Sequence, residues 1–330
     1  TGTNRFGSLS LTGSDVTVNE IGGTQLDFVQ AKSLDVVSDG IVEDGLNAEI
    51  TVDDDLTILA LGDVTFGDQL GESIEFGVIN ITGDNITIVE SDDSSLGFIT
   101  GESFDLQTAG NISQVSTSIL DIKSDVILNA NSGNSNITLS QNNNAFGSIS
   151  LRALDANIVE NLGDNGTALG TVEVESLDLA SSGAVTGSAI IKVSDEISIV
   201  AGEGLESVTL DNVDNRLNRV SVAGTDAKIT NSQDTVLLKL DVGTFNLTTI
   251  GDVTDSPDDE LNVAGLAVID AGSEGSIILG TNINDTAQFG SVQFSGDQID
   301  ISQPDDVTIA GINAQSKLNI TSTGGNIESI

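Results

Sequence analysis

The sequence predicts an all-β fold: a right-handed parallel β-helix of about 14 coils, roughly three coils to each 70-residue repeat. Three observations carry that prediction. One stretch, Phe6-Gly7-Ser8-Leu9-Ser10-Leu11, returns as Phe76-Gly77-Val78-Ile79-Asn80-Ile81 and Phe146-Gly147-Ser148-Ile149-Ser150-Leu151. It returns again as Leu217-Asn218-Arg219-Val220-Ser221-Val222 and Phe289-Gly290-Ser291-Val292-Gln293-Phe294, so successive copies start 70, 70, 71 and 72 residues apart. Self-similarity at a fixed period marks a repeat architecture. The composition agrees: 38% hydrophobic but only 3% aromatic, no Trp or Tyr, 36 Gly and 2 Pro, a mix that favours strands joined by tight turns. Finally, no window carries apolar residues at the i, i+3, i+4, i+7 spacing of an amphipathic helix.

Within a repeat, the opening stretch leads to Asp15-Val16-Thr17-Val18-Asn19-Glu20, matched by Asn85-Ile86-Thr87-Ile88-Val89-Glu90 and Ala156-Asn157-Ile158-Val159-Glu160. Apolar and polar residues alternate there, the period-two signal of a strand with one buried face. An acidic turn follows, holding Glu20 in the first copy, Asp92 and Asp93 in the second, Asp164, then Asp234, and finally Asp305 with Asp306. Next comes a short strand, Leu26-Asp27-Phe28, repeated as Leu96-Gly97-Phe98 and Leu238-Lys239-Leu240. A second marker is Ser33-Leu34-Asp35-Val36 with Gly40, matched by Phe104 with Gly110, Leu177 with Gly183, Phe245 with Gly251 and Leu318 with Gly325. Gly retained at such a corner implies positive φ, which Gly adopts without strain. A third marker, Leu56-Thr57-Ile58 leading to Asp63-Val64-Thr65-Phe66, recurs as Val126-Ile127-Leu128 with Asn136-Ile137-Thr138-Leu139.

The whole of 1–330 reads as one β-solenoid segment, with units of about 6–75, 76–145, 146–216, 217–288 and 289–330, part of a longer protein. Stacked coils lie about 4.8 Å apart, so the apolar residues that open the units would form a column at three-coil spacing, roughly 14 Å. An array of β-sandwich domains is the alternative. It needs recurring hairpin turns, and the one at Asp39-Gly40 does not recur.

Phrases such as Leu56-Thr57-Ile58-Leu59-Ala60-Leu61-Gly62-Asp63-Val64-Thr65 and Leu106-Gln107-Thr108-Ala109-Gly110-Asn111-Ile112-Ser113-Gln114 resemble the repeats of filamentous haemagglutinin-like exoproteins of the two-partner-secretion type. They are also similar to β-strand-repeat surface proteins of Gram-negative bacteria. The resemblance implies a β-helical shaft, exported and displayed at the cell surface, with no catalytic residues.

Fifty-one acids against ten bases give a net charge of −41, which argues against nucleic acid and anionic membrane as partners. No apolar run is long enough to span a bilayer. Cys and His are both absent, which removes Ser-His-Asp and Cys-His catalysis and zinc sites built on those ligands. Paired carboxylates remain: Asp53, Asp54 and Asp55, or Asp258, Asp259 and Glu260, could serve a carbohydrate-active β-helix that cleaves polysaccharide. Calcium is the only cofactor to consider. Its oxygen ligands would come from Glu90, Asp92, Asp93, Asp305 and Asp306, acidic turns expected to recur on one edge of the solenoid. Eight Asn-x-Ser/Thr tripeptides, among them Asn85, Asn111, Asn136, Asn165 and Asn284, read as strand alternation rather than glycan acceptors.

These readings converge on a non-enzymatic extracellular shaft, fibre or adhesin segment of a bacterial surface protein. Its partners would be further copies docked head to tail or a host or cell-surface glycan.

Overall fold

The computed structural model describes residues 4–161, 166–282 and 286–330, apart from the side chain of Asp258. Asp164, Asn165 and Asn284 lie outside the described residues. The fold is a parallel β-solenoid of about 15 turns with 2% helix. That helix is two single 3₁₀ turns, Asn131–Gly133 and Gly202–Gly204. Every described strand pairing is parallel, as in Leu9–Glu20 on Thr24–Ser38 and Thr24–Ser38 on Val42–Ala60. Contacts divide the chain into two units, Thr1–Leu162 and Gly163–Ile330.

In the first unit the inward positions of consecutive coils form three columns. One holds Val16, Leu34, Leu56, Ile79 and Leu96. Another holds Val42, Val64, Ile86, Phe104, Val126 and Ile149. A third holds Ile112, Ile137 and Ala156. All but Val16 are buried, and a coil cannot bury its inner face without its neighbours.

These columns overturn the expectation that like repeat positions stack. Leu34 lies under Leu56, then Ile79, then Leu96, in steps of 22, 23 and 17 residues. Its counterpart in the next repeat, Phe104, comes eight residues after Leu96 and sits in the next column. One repeat therefore spans three coils plus one face. Val16, Ile86 and Ala156 accordingly stand in three different columns. The second unit behaves alike: Leu177 stacks with Ile197, Val220 and Leu237. Its counterpart Phe245 stacks with Ala227, Ala267 and Val292. Leu318 stacks with Ile299 and Ile277. Generic apolar volume, rather than identity, is what each column needs. The acidic turns are likewise spread over different corners, so they do not recur on one edge.

Two further local expectations fail for steric reasons. The short strand after the acidic turn carries a one-residue bulge: Leu9 and Ser10 face Leu26 and Phe28, skipping Asp27, and Val220 and Ser221 face Leu237 and Lys239, skipping Leu238. A bulge shifts the alternation by one. Thus Leu237 is buried and Leu238 only half-buried, and Phe98 points out at 53% exposure beside fully buried Leu96. The corner glycines Gly40, Gly110, Gly251 and Gly325 do not have positive φ. They are required because the preceding coil passes too close for a side chain. A Cβ on Gly110 would lie 2.9 Å from the Asp93 nitrogen, and one on Gly40 would lie 2.8 Å from the Gly23 nitrogen.

Candidate functional site

The repeat's acidic and amide residues build a corner that joins coils. Glu20, Glu90, Glu160, Asn231 and Gln303 occupy one repeat position, and all are buried. Sequence reasoning had put Glu20 in a solvated turn. Four of them show the same bond: the main-chain N–H of the residue fourteen earlier, the opening residue of the repeat, donates to the side-chain oxygen. The pairs are Phe6 to Glu20 at 2.6 Å, Phe76 to Glu90 at 2.7 Å, Leu217 to Asn231 at 2.9 Å and Phe289 to Gln303 at 3.3 Å. A buried N–H left without a partner is costly, so the position demands an acceptor and not a charge. Asn231 also donates to Thr235 Oγ1 at 2.8 Å, and Ser94 donates to Glu90 Oε2.

One coil on, the corner holds a buried hydroxyl. Ser38 Oγ donates to the Gly22 carbonyl at 2.6 Å and Thr249 Oγ1 to that of Gln233 at 2.6 Å, while Thr108 donates to the Asp92 carbonyl. A coil further, Ala60, Ala130, Ala201 and Ala271 fill the place. Both Glu20–Ser38–Ala60 and Glu90–Thr108–Ala130 are in register.

Outside these columns, Asp and Asn side chains cap the next coil. Asp93 Oδ1 accepts from the Asn111 N–H at 2.6 Å, Asn111 Oδ1 from Asn136 at 3.0 Å, and Asn136 Oδ1 from Asp155 at 3.3 Å. Asp234 and Asp252 form the same series at 2.9 and 2.7 Å, and Asp306 Oδ1 accepts from Asn326 at 2.6 Å. The Asn-x-Ser/Thr asparagines Asn111 and Asn136 are thus ladder members.

The calcium candidates are therefore already engaged by protein donors. Glu90 uses both oxygens within the corner, and burial pushes its carboxyl up to about 8 despite the Ser94 and Phe76 hydrogen bonds that oppose this. Asp92 is exposed, and its carboxyl is raised by partial burial and by neighbouring Glu75 and Asp93. Asp305 accepts from Gln288 Nε2 at 2.8 Å. Of the candidate catalytic carboxylates, Asp53, Asp54 and Asp55 are all exposed on Val42–Ala60 in the first unit. In the second unit, Asp259 is buried and accepts from the Ser256 N–H at 3.1 Å, and Glu260 pairs with Lys239 at 3.5 Å.

Among the described residues, one group of three acids brings an oxygen from each within 4.8 Å of the others: Asp44, Asp68 and Glu72. None of the three stood out in the sequence. Asp44 occupies an inward position, two residues from buried Val42 and opposite buried Leu26, where the alternation calls for an apolar side chain. That violation was the available signal.

A repeat β-solenoid, its coils joined by buried polar corners and capped by Asx ladders, is the class that these features define. The chain belongs to the family described as Repeats of unknown function (DUF5649), whose model matches residues 83–151, 156–223 and 224–293, well over half of its length. The matched stretches begin seven to ten residues after the openings at Phe76, Phe146 and Leu217 and keep the same period. No curated protein and no solved structure gives a significant match.

Proposed function

We propose that this chain is a non-enzymatic structural segment, a shaft or fibre element of an extracellular bacterial surface protein that spaces an adhesive region from the cell. One observation carries the reading. The same coil-joining corner, with an acceptor, a hydroxyl and an alanine on successive coils, is rebuilt repeat after repeat with interchangeable Glu, Asn and Gln. Chemistry that tolerates such exchange supports a scaffold, since catalysis depends on one specific group at one place. The extracellular placement rests on the resemblance of Leu56–Thr65 and Leu106–Gln114 to haemagglutinin-like exoproteins. The surface charge of −41 supports solubility and discourages sideways association of strands.

Deletion of one whole internal repeat tests the reading. The shortened chain should keep its β-sheet circular dichroism, and electron micrographs should show thin particles shortened by about 16 Å, three coils and a face. Compact globules, or cleavage of an acidic polysaccharide that is lost on Asp→Asn substitution, would refute it.

A further inference from the structure

The Asp44–Asp68–Glu72 group is a different kind of feature from the corners. Two of its members are held in the same way. The Gly67 N–H donates to Asp44 Oδ2 at 2.7 Å, and the Gln69 N–H donates to Glu72 Oε2 at 2.7 Å. Each therefore has one oxygen tied to the backbone of the 67–72 loop. The other oxygens, Asp44 Oδ1 and Glu72 Oε1, are buried and have no hydrogen-bond partner. Asp44 itself is only 5% exposed, and Glu72 and Asp68 both repel its charge. The loop is shaped for this approach, with Gly67 and Gly71 at φ of 73° and 97°. Asn47, also in the left-handed region at 57°, brings its Oδ1 against Gly71.

The next repeat supplies an internal comparison. Gln114 takes the place of Asp44, and its side chain closes a reciprocal amide pair with Asn144, at 2.6 Å and 3.0 Å. Each amide offers a donor and an acceptor, so that pair satisfies itself. Three carboxylates offer acceptors only and must take up positive charge from elsewhere.

We propose that Asp44, Asp68 and Glu72 form a binding site for a hard divalent cation, calcium in particular, that pins the 67–72 loop to the solenoid. Two oxygens about 2.4 Å from one ion can be at most about 4.8 Å apart, which is the spread observed here. A flexible loop with several oxygens suits calcium better than magnesium, which demands a tight octahedron. The site is independent of the scaffold role proposed above: either can fail without the other.

The experiment is calorimetric titration of calcium into the chelator-treated full chain, near neutral pH and in enough monovalent salt to screen the general surface charge. One saturable site is expected, with a rise in melting temperature. Asp44→Asn keeps an acceptor for the Gly67 N–H, and Glu72→Gln keeps one for Gln69. Each should weaken calcium by at least about tenfold, whereas Asp92→Asn with Asp93→Asn should leave that site intact. Absence of a saturable site overturns the proposal. So does a site that survives in the Asp44→Asn, Glu72→Gln double variant. So does an Asp44 carboxyl signal that titrates identically with and without calcium, since a shared proton would then be what relieves the group.

Discussion

Asp93 occupies the space that a side chain on Gly110 would need: a Cβ there would meet the Asp93 carboxylate and come within 2.9 Å of its nitrogen. The same Asp93 caps the coil through the Asn111 N–H. Asp and Gly are thus one device, the cap requiring the neighbouring corner to be bare, and the pairing recurs as Asp234 with Gly251 and Asp306 with Gly325.

Substituting Gly110→Ala should therefore destabilise the first unit by about 1–3 kcal/mol through overpacking. Gly7→Ala, where nothing lies within 4 Å of the added methyl, should be near neutral. Urea midpoints for the two variants decide the matter. Equal midpoints would mean that the corner can open without cost.

The buried corner at Glu90 predicts a pH dependence. Its folded carboxyl is raised from 4.5 to about 8 by burial, so between those values the folded chain holds a proton that the unfolded chain releases. Its contribution is present in full below the lower value and is lost as pH rises through the upper one. Glu90→Gln, the residue used at the equivalent Gln303, should abolish that fall and raise stability at pH 8 relative to the parent, by on the order of a few kcal/mol. Melting temperatures of parent and variant from pH 5 to 8.5 should converge at the acidic end and separate at the alkaline end.

At the fourth corner, Asn231→Ala should leave the buried Leu217 N–H and Thr235 hydroxyl without their partner. A cost of about 1–3 kcal/mol is expected. Amide hydrogen exchange offers a sharper reading: Leu217 should lose protection more than its neighbours.

Leu34→Ala should open a cavity in a fully apolar column and cost about 2–5 kcal/mol. Leu61→Ala, at a site 70% exposed, should change stability little. Denaturant curves on the pair measure how much of the fold rests on the stacked interior.

The period of about 70 residues, the near-total strand content and the inward Val, Ile and Leu were legible because each rests on local chemistry. Alternation along Ile86-Thr87-Ile88 fixes which side chains share a face whatever lies above or below. Stacking is different, because which residue lies over Leu34 depends on coil lengths of 17 to 23 residues, set by bulges and corners. For that reason the repeat advances by an extra face and its acidic turns scatter. Solvation was equally out of reach: Glu90 and Asp92 are two residues apart in the same acidic stretch, yet Glu90 is buried against the Phe76 N–H and Asp92 is exposed. Sequence by itself determined the periodic, parallel, strand-built character of this protein. Tertiary structure alone decided which like-charged groups meet, as at Asp44 and Glu72, because a carboxylate's surroundings are the sum of the coils packed around it and no single coil encodes that sum.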